Sequence, residues 1–192
     1  MACFDTAFHA TIPDHAATFA LPAEWRARWT LRRYGFHGLS HAYVSRRAAE
    51  MADGASRIVS CHLGAGASLA AVLDGRSVDT TMGFTPLDGL VMATRSGSVD
   101  PGLVLWLQEH AGTPAAELAA TLEYRSGENS PDIRWRAMAG LGFLGVRPDA
   151  SRNDAGSGDR EIGSPDAPVR SFVISAREDL EIARQVRSVL GD

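Results

Sequence analysis

The chain has 192 residues, 45% of them hydrophobic and 22% charged, with a formal net charge of −4. That balance suits a soluble globular protein with a sizeable core and gives no electrostatic reason to expect nucleic acid or an anionic membrane as partner. All 19 basic residues are arginine, which excludes a catalytic lysine, and the two cysteines, Cys3 and Cys61, lack metal-ligand spacing.

So few thiols fit a reducing, cytoplasmic setting. No apolar run reaches the roughly 18 residues of a membrane span, and no basic-then-apolar leader opens the chain. The first stretch, Cys3-Phe4-Asp5-Thr6-Ala7-Phe8-His9, has nothing before it to pair with and reads as a start inside a domain. Thr11-Ile12-Pro13 and Leu21-Pro22 predict irregular, extended segments. A short amphipathic helix is expected over Pro22–Trp29. Arg32–Gly38 is a polar loop with two glycines, after which Ser40 reads as the N-cap of a helix from about His41 to Met51.

Ile58-Val59-Ser60-Cys61-His62-Leu63-Gly64-Ala65-Gly66-Ala67-Ser68 is the centre of the chain. An apolar run that suits a buried strand enters a glycine hairpin, a second strand follows at Leu69–Leu73, and Asp74-Gly75 turns into a third at Ser77–Thr81. Glycines let backbone N–H groups close on an anion, so the hairpin can cradle phosphate, although Gly-x-Gly fits an ordinary hairpin as well. Met82–Met92, broken by glycine and proline, predicts a loop lying on the core, and Thr94–Ser98 a polar loop. Helices are expected from Asp100-Pro101 to about Glu109, from Thr113-Pro114 to about Tyr124, and from Ser130-Pro131 to about Leu141. Residues 147–168 turn to Ser, Asp, Gly, Arg and Asn, which predicts a solvated connection. Val169–Ser175 reads as a strand. Glu178–Leu190 reads as an amphipathic helix, with Leu180, Ile182, Ala183, Val186 and Leu190 available for one face.

Several of these segments together resemble the acetate kinase family. They are Phe4–His9, Arg33-Tyr34-Gly35-Phe36-His37-Gly38-Leu39-Ser40-His41, Cys61–Ser68, Met82–Val91, Arg95-Ser96-Gly97, Gly127-Glu128-Asn129-Ser130-Pro131 and Arg177–Ala183. The resemblance implies an α/β fold: a ribonuclease-H-like lobe of the actin/sugar kinase/Hsp70 fold, incomplete here, with residues 1–192 as a single partial domain that is mostly the C-terminal lobe. It implies a further N-terminal lobe with its own phosphate hairpin, metal-site asparagine and substrate arginine. A second gap is expected near residues 126–127, where the family carries a longer segment. Ala65 stands where the family usually has asparagine, and Ser98 where it usually has aspartate.

The implied reaction is Mg²⁺-dependent transfer of a phosphoryl group from ATP to acetate, giving acetyl phosphate and ADP. Acetate is already ionised at neutral pH, so the task is to align two anions and neutralise the transferring group. The resemblance assigns Asp5, His37 and Arg95 to catalysis. It assigns His62, Leu63, Gly64, Ala65, Gly66, Gly127, Glu128 and Asn129 to the nucleotide, and Glu178 to magnesium. Taken alone, Arg95 reads more readily as a surface arginine in a salt bridge and His37 as a polar loop residue, Asp5 as a strand-end acid and Glu178 as a helix-start acid favoured by the dipole. His9, His15, His41 and His110 read as structural or solvent-facing. Implied partners are ATP and acetate, without nucleic acid or membrane, and a family-like homodimer. Propionate or butyrate stays open as acceptor, and so does a non-catalytic remnant that binds nucleotide weakly or only associates.

Overall fold

The computed structural model describes residues 2–92, 95–124, 135, 138–154 and 158–190. At its centre lies an antiparallel meander of β1 (Arg57–Leu63), β2 (Ala67–Leu73) and β3 (Arg76–Thr80), in that spatial order. All three expected strands are present. β1 and β2 pair without interruption from Arg57↔Leu73 to Leu63↔Ala67. The β2–β3 turn is the Asp74-Gly75 pair, both residues with positive φ (49° and 74°), as the tightest two-residue hairpin requires. Between Ala71 and Val72 the register of β3 steps from Asp79 to Ser77, so Val78 is left unpaired.

β1 runs contrary to the usual rule for a half-buried strand. Ser60 is buried and His62 half-buried on the face beside helix α3 (Gly38–Met51), whereas Val59, at 63% exposure, and Cys61 look outward. The buried run expected from Ile58, Val59 and Cys61 is therefore a strand whose apolar face is open. A polar inner face is stable only when its groups find partners, and those partners build the site.

α3 begins three residues before the expected start. His37, in the left-handed region (φ 57°), precedes it, and Ser40 lies buried within its first turn instead of capping it. The cap comes from elsewhere in the chain. Asp5 accepts the His37 N–H at 2.6 Å and the Leu39 N–H at 3.3 Å, so a carboxylate answers two free donors and the positive end of the helix dipole.

The N-terminal segment is more helical than its prolines suggest. A 3₁₀ turn at Ala7–Thr11 packs on β3, followed by α1 (Asp14–Ala17) and then the expected α2 (Ala23–Trp29). The Met82–Met92 loop does lie on the core: Met82, Met92 and Ala67 form a buried cluster with Phe36 and Leu90 against it. α4 (Pro101–Glu109) starts as expected, with the Asp100 side chain accepting the Gly102 N–H at 2.9 Å, and α5 spans Ala115–Tyr124. The helix expected from Ser130-Pro131 begins outside the described residues.

The described parts of residues 147–168 carry more structure than a solvated connection. They contain α6 (Ala150–Asp154) and strand β4 (Arg160–Glu161), with Asn153 and Ile162 buried. β4 pairs with β5, which is shorter than expected at Phe172–Val173. α7 (Glu178–Leu190) packs on α3. Its Leu180, Ile182 and Leu190 stay exposed while Glu181 is wholly buried. The Glu181 carboxylate accepts from Arg46 (2.6 Å), Arg184 (2.7 and 3.1 Å) and Gln185 (3.3 Å). Among the described residues no helix is long and apolar enough to cross a membrane.

Candidate active site

Leu63 and Ala67 close the β1–β2 hairpin, leaving Gly64, Ala65 and Gly66 as its tip, with the Gly64 N–H donating to the Gly66 carbonyl at 2.9 Å. Side chains from two other segments, and from β1 itself, crowd this tip. A Cβ added to Gly66 would lie 2.9 Å from His37 Nε2 and 3.2 Å from Arg95 Nη1; one added to Gly64 would lie 3.0 Å from His62 Nε2. Glycine is required here by close approach, and the same approach brings two imidazoles and a guanidinium to a bend of backbone amides.

The rings of His37 and His62 stack at 4.0 Å between centroids with a 17° tilt. Behind them stands a layer of histidines and serines. Ser68 Oγ lies 2.9 Å from His37 Nδ1 and 2.8 Å from His41 Nε2, and His41 Nδ1 lies 2.9 Å from Ser60 Oγ. His62 Nδ1 lies 2.9 Å from Ser40 Oγ. His9 completes the group, with Nδ1 2.8 Å from Ser77 Oγ and Nε2 donating to the Phe36 carbonyl at 3.0 Å. His9 and His41 are structural, as expected, and fully buried.

Burial, and then the His62 ring beside it, push His37 down to about 4, with Arg95 acting in the same direction and Asp5 opposing. Burial, followed by His9, His62 and His37, takes His41 down to about 3. Burial also lowers His9 and His62. At neutral pH all four imidazoles are therefore uncharged hydrogen-bonding groups.

Arg95 donates to the Pro86 carbonyl at 3.3 Å and contacts Met92 Sδ at 3.6 Å. Among the described residues it forms no ion pair, so its charge is not already neutralised by a carboxylate. The surface salt-bridge reading of Arg95 thus has no partner among the described residues. Glu178 is exposed in the first turn of α7, and its charge, ahead of that of Asp5, opposes the lowering of His62. Both carboxylates thus act on the His62 ring. Ser98 Oγ donates to Asp88 at 2.6 Å and accepts the Gly89 N–H at 3.0 Å, which ties it into the loop. Gly127, Glu128 and Asn129 lie outside the described residues. A separate open groove of about 420 Å³ runs between Thr85, Asp88, Ser96, Ser98 and Val104.

The structure thus brings Asp5, His37, His62, Arg95 and the Gly64–Gly66 tip into one neighbourhood. Sequence reading missed the buried hydroxyls of Ser40, Ser60 and Ser68 and the capping role of Asp5. The alternation Ser60–His62 between Val59, Cys61 and Leu63 was the available signal, because polar residues at every second strand position share one face.

A glycine hairpin between antiparallel strands, backed by neutral imidazoles and joined by an arginine that has no ion pair among the described residues, is an arrangement chemically able to receive an anion. The profile of the acetokinase family matches residues 1–127 and 125–184, so the chain belongs to that family. It is 36% identical to the acetate kinase of Shouchella clausii over 247 positions, covering 96% of this chain and 62% of that protein. It is 39% identical to the acetate kinase of Trichormus variabilis, covering 96% and 61%. Porphyromonas gingivalis acetate kinase superposes with a TM-score of 0.90 at 29% identity, over 97% of this chain and 63% of that one. A Francisella tularensis propionate kinase superposes at 0.86 and 30% identity, over 95% and 62%. The fold is thus the acetate kinase fold in part, and the chain spans about 62% of the length of the curated relatives it matches. An alignment of 247 positions against 192 residues means that the relatives also carry residues this chain lacks inside the matched span.

Proposed function

We propose that the chain is an acetate kinase-type phosphotransferase, transferring the γ-phosphoryl group of ATP to acetate. The observation that carries this reading is the convergence of His37 Nε2 and Arg95 Nη1 on Gly66, at 2.9 and 3.2 Å from where a Cβ would stand. An acetate oxygen forms the new bond to phosphorus. The bond from phosphorus to the β–γ bridging oxygen breaks, and its electron pair leaves with ADP. No proton moves, because acetate is already ionised, so the residues act by position and charge.

In this reading the backbone of His62, Leu63, Gly64, Ala65 and Gly66 holds phosphate oxygens, a role Ala65 fills with its amide alone. Arg95 offers its planar fork to the transferring group, and His37 donates one hydrogen bond to it. Gly127, Glu128 and Asn129 form the adenosine side. Asp5 holds His37 through its backbone and keeps a carboxylate near the reacting groups.

Among the described residues no group of three or more His, Cys, Asp or Glu is arranged to hold a metal. Magnesium needs no such cage, since it binds through one or two carboxylates, water and substrate phosphates. The carboxylates acting on His62 fit an ion that arrives with the nucleotide, Glu178 holding it through the outward side of α7. When bound, it neutralises charge on the phosphates. Residues 1–192 form a single partial domain, with a break against the family pattern near residues 126–127, where the two matched stretches meet. Cytoplasmic location, ATP and acetate as partners, and a family-like homodimer belong to the same proposal.

Because the chain covers about 62% of its relatives' length, weak turnover by these 192 residues alone is the companion reading, with nucleotide binding retained. The test is a hydroxamate trap for acetyl phosphate with ATP, Mg²⁺ and acetate, run beside Arg95→Ala and His37→Ala. Turnover, however slow, that both substitutions abolish supports the assignment. Turnover indifferent to both overturns it. Calorimetric titration with MgATP separates a binding remnant from a chain that has lost the nucleotide altogether.

A further inference from the structure

We propose that three buried hydroxyls, those of Ser40, Ser60 and Ser68, fix the tautomers of the site's histidines, so that His37 and His62 both present Nε2–H donors to the glycine hairpin. The argument starts at Ser60, which is buried on β1 and whose Oγ touches only His41 Nδ1 among the described residues. A buried hydroxyl proton must find an acceptor. Ser60 therefore donates to His41 Nδ1, which leaves that nitrogen bare and places the proton of the ring on Nε2.

His41 Nε2–H then donates to Ser68 Oγ at 2.8 Å. Ser68 is fully buried, and its own proton has one acceptor left, His37 Nδ1 at 2.9 Å. His37 is thereby obliged to carry its proton on Nε2, the atom that faces Gly66. A shorter branch repeats the logic. Ser40, buried in α3, donates to His62 Nδ1, and His62 carries its proton on Nε2, which faces Gly64. Each relay passes its protons outward, from the core toward the site nitrogens.

The neutrality of these rings is what makes the direction matter. An uncharged imidazole is equally able to offer a lone pair or a proton, and a lone pair aimed at a phosphoryl oxygen would repel it. Two stacked rings, both offering N–H, give the hairpin paired donors without two cations 4.0 Å apart. Ser40, Ser60, Ser68 and His41 are positioning residues. Their use for phosphoryl binding rests on the function proposed above; the tautomers themselves follow from the hydrogen bonds.

The experiment is long-range ¹H–¹⁵N correlation of the ¹⁵N-histidine-labelled 192-residue chain at neutral pH. His9 is an internal standard, because the Phe36 carbonyl can only accept and so requires a proton on Nε2. We expect His37, His41 and His62 to share that pattern, with Nδ1 bare. A proton on Nδ1 of His37 or His62 overturns the proposal. In Ser60→Ala, His41 loses its donor, and a share of His37, two hydrogen bonds away, passes to the Nδ1–H form while His9 and His62 stay unchanged. A folded Ser60→Ala protein with His37 unaltered also overturns it, and if that variant does not fold, the wild-type spectrum decides. Titration with MgATP addresses the function separately. Correct tautomers whose Nε2–H signals ignore MgATP uphold the relay and sink the phosphoryl site, whereas wrong tautomers sink the relay whatever the ligand does.

Discussion

Mild acid should destabilise this protein, and the histidine cluster sets both the direction and the size of the effect. His37 and His41 have their pKa values lowered from 6.5 to about 4 and about 3. A group whose folded pKa lies below its unfolded value takes up more protons when unfolded. Its contribution to stability is complete above about 6.5 and is lost as the pH falls from there through the folded value. At pH 5 each of the two rings should cost roughly 2 kcal/mol relative to pH 7.5, taking ~1.4 kcal/mol per pKa unit. The pair together removes about 4 kcal/mol from a total stability expected near 5–15 kcal/mol. His9 and His62, also lowered, act in the same direction. The measurement is urea unfolding followed by tryptophan fluorescence at steps between about pH 7.5 and 5, where histidine is the side chain that titrates. His41→Gln should reduce the slope by about one proton. An unfolding free energy that is flat across this window, or a slope that ignores His41→Gln, would refute the reasoning.

Three further outcomes follow from particular contacts. Glu181→Ala removes the buried acceptor of Arg46 and Arg184; because both arginines reach solvent, the loss should be ~1–3 kcal/mol by thermal denaturation, and no measurable change would show that the ion cluster does not hold α7. Glu181 itself sits below its ordinary 4.5, since the bonds from Arg184 and Arg46 outweigh its burial. Its contribution is therefore present above about pH 4.5 and lost as the pH falls through the lower folded value, apart from the histidine window. Gly66→Ala puts a methyl against His37 Nε2 and Arg95 Nη1, so MgATP affinity should fall by about tenfold or more while the melting temperature changes little, both readable by calorimetry. Finally, Val59, Leu105, Trp106, Phe143 and Val189 are all more than half exposed. The chain should accordingly associate as its concentration rises, and a monodisperse monomer in size-exclusion chromatography at every concentration would contradict this.

The local signals in the sequence were sufficient for the meander. Asp74-Gly75 specifies its own turn, and Asp100-Pro101 its own helix start, because in both cases the residues that dictate the geometry are neighbours in the chain. The start of α3 was misplaced for the opposite reason. Its cap, Asp5, lies 32 residues before His37, and a propensity-based reading chose the nearest hydroxyl, Ser40. That hydroxyl is committed to His62 across the fold. The catalytic candidates Asp5, His37 and Arg95 and the nucleotide candidate His62 were legible through family resemblance, and the structure gathers them at one hairpin. The layer behind them was not legible, because a serine in a strand carries no mark of the histidine it faces. Residues 147–168 misled through composition: polar residues ordinarily mean solvent, yet here Asn153 and Ile162 are buried.

The attachment of α7 has a consequence for how the protein opens. The helix meets α3 through the buried Glu181 carboxylate, which Arg46 of α3 and Arg184 of its own helix hold, while Val189 and Leu190 stay in solvent. Releasing it breaks a buried ion cluster and uncovers only part of the surface of Leu180, Ile182, Ala183 and Val186, and apolar surface is the source of the heat-capacity change on unfolding. Its undocking should therefore be nearly temperature-neutral in enthalpy and sensitive to ionic strength, the reverse of the meander, whose Met82–Met92 core is apolar. Such a helix forms a separate opening unit, one that exchanges its amide hydrogens faster in salt while the central strands remain protected.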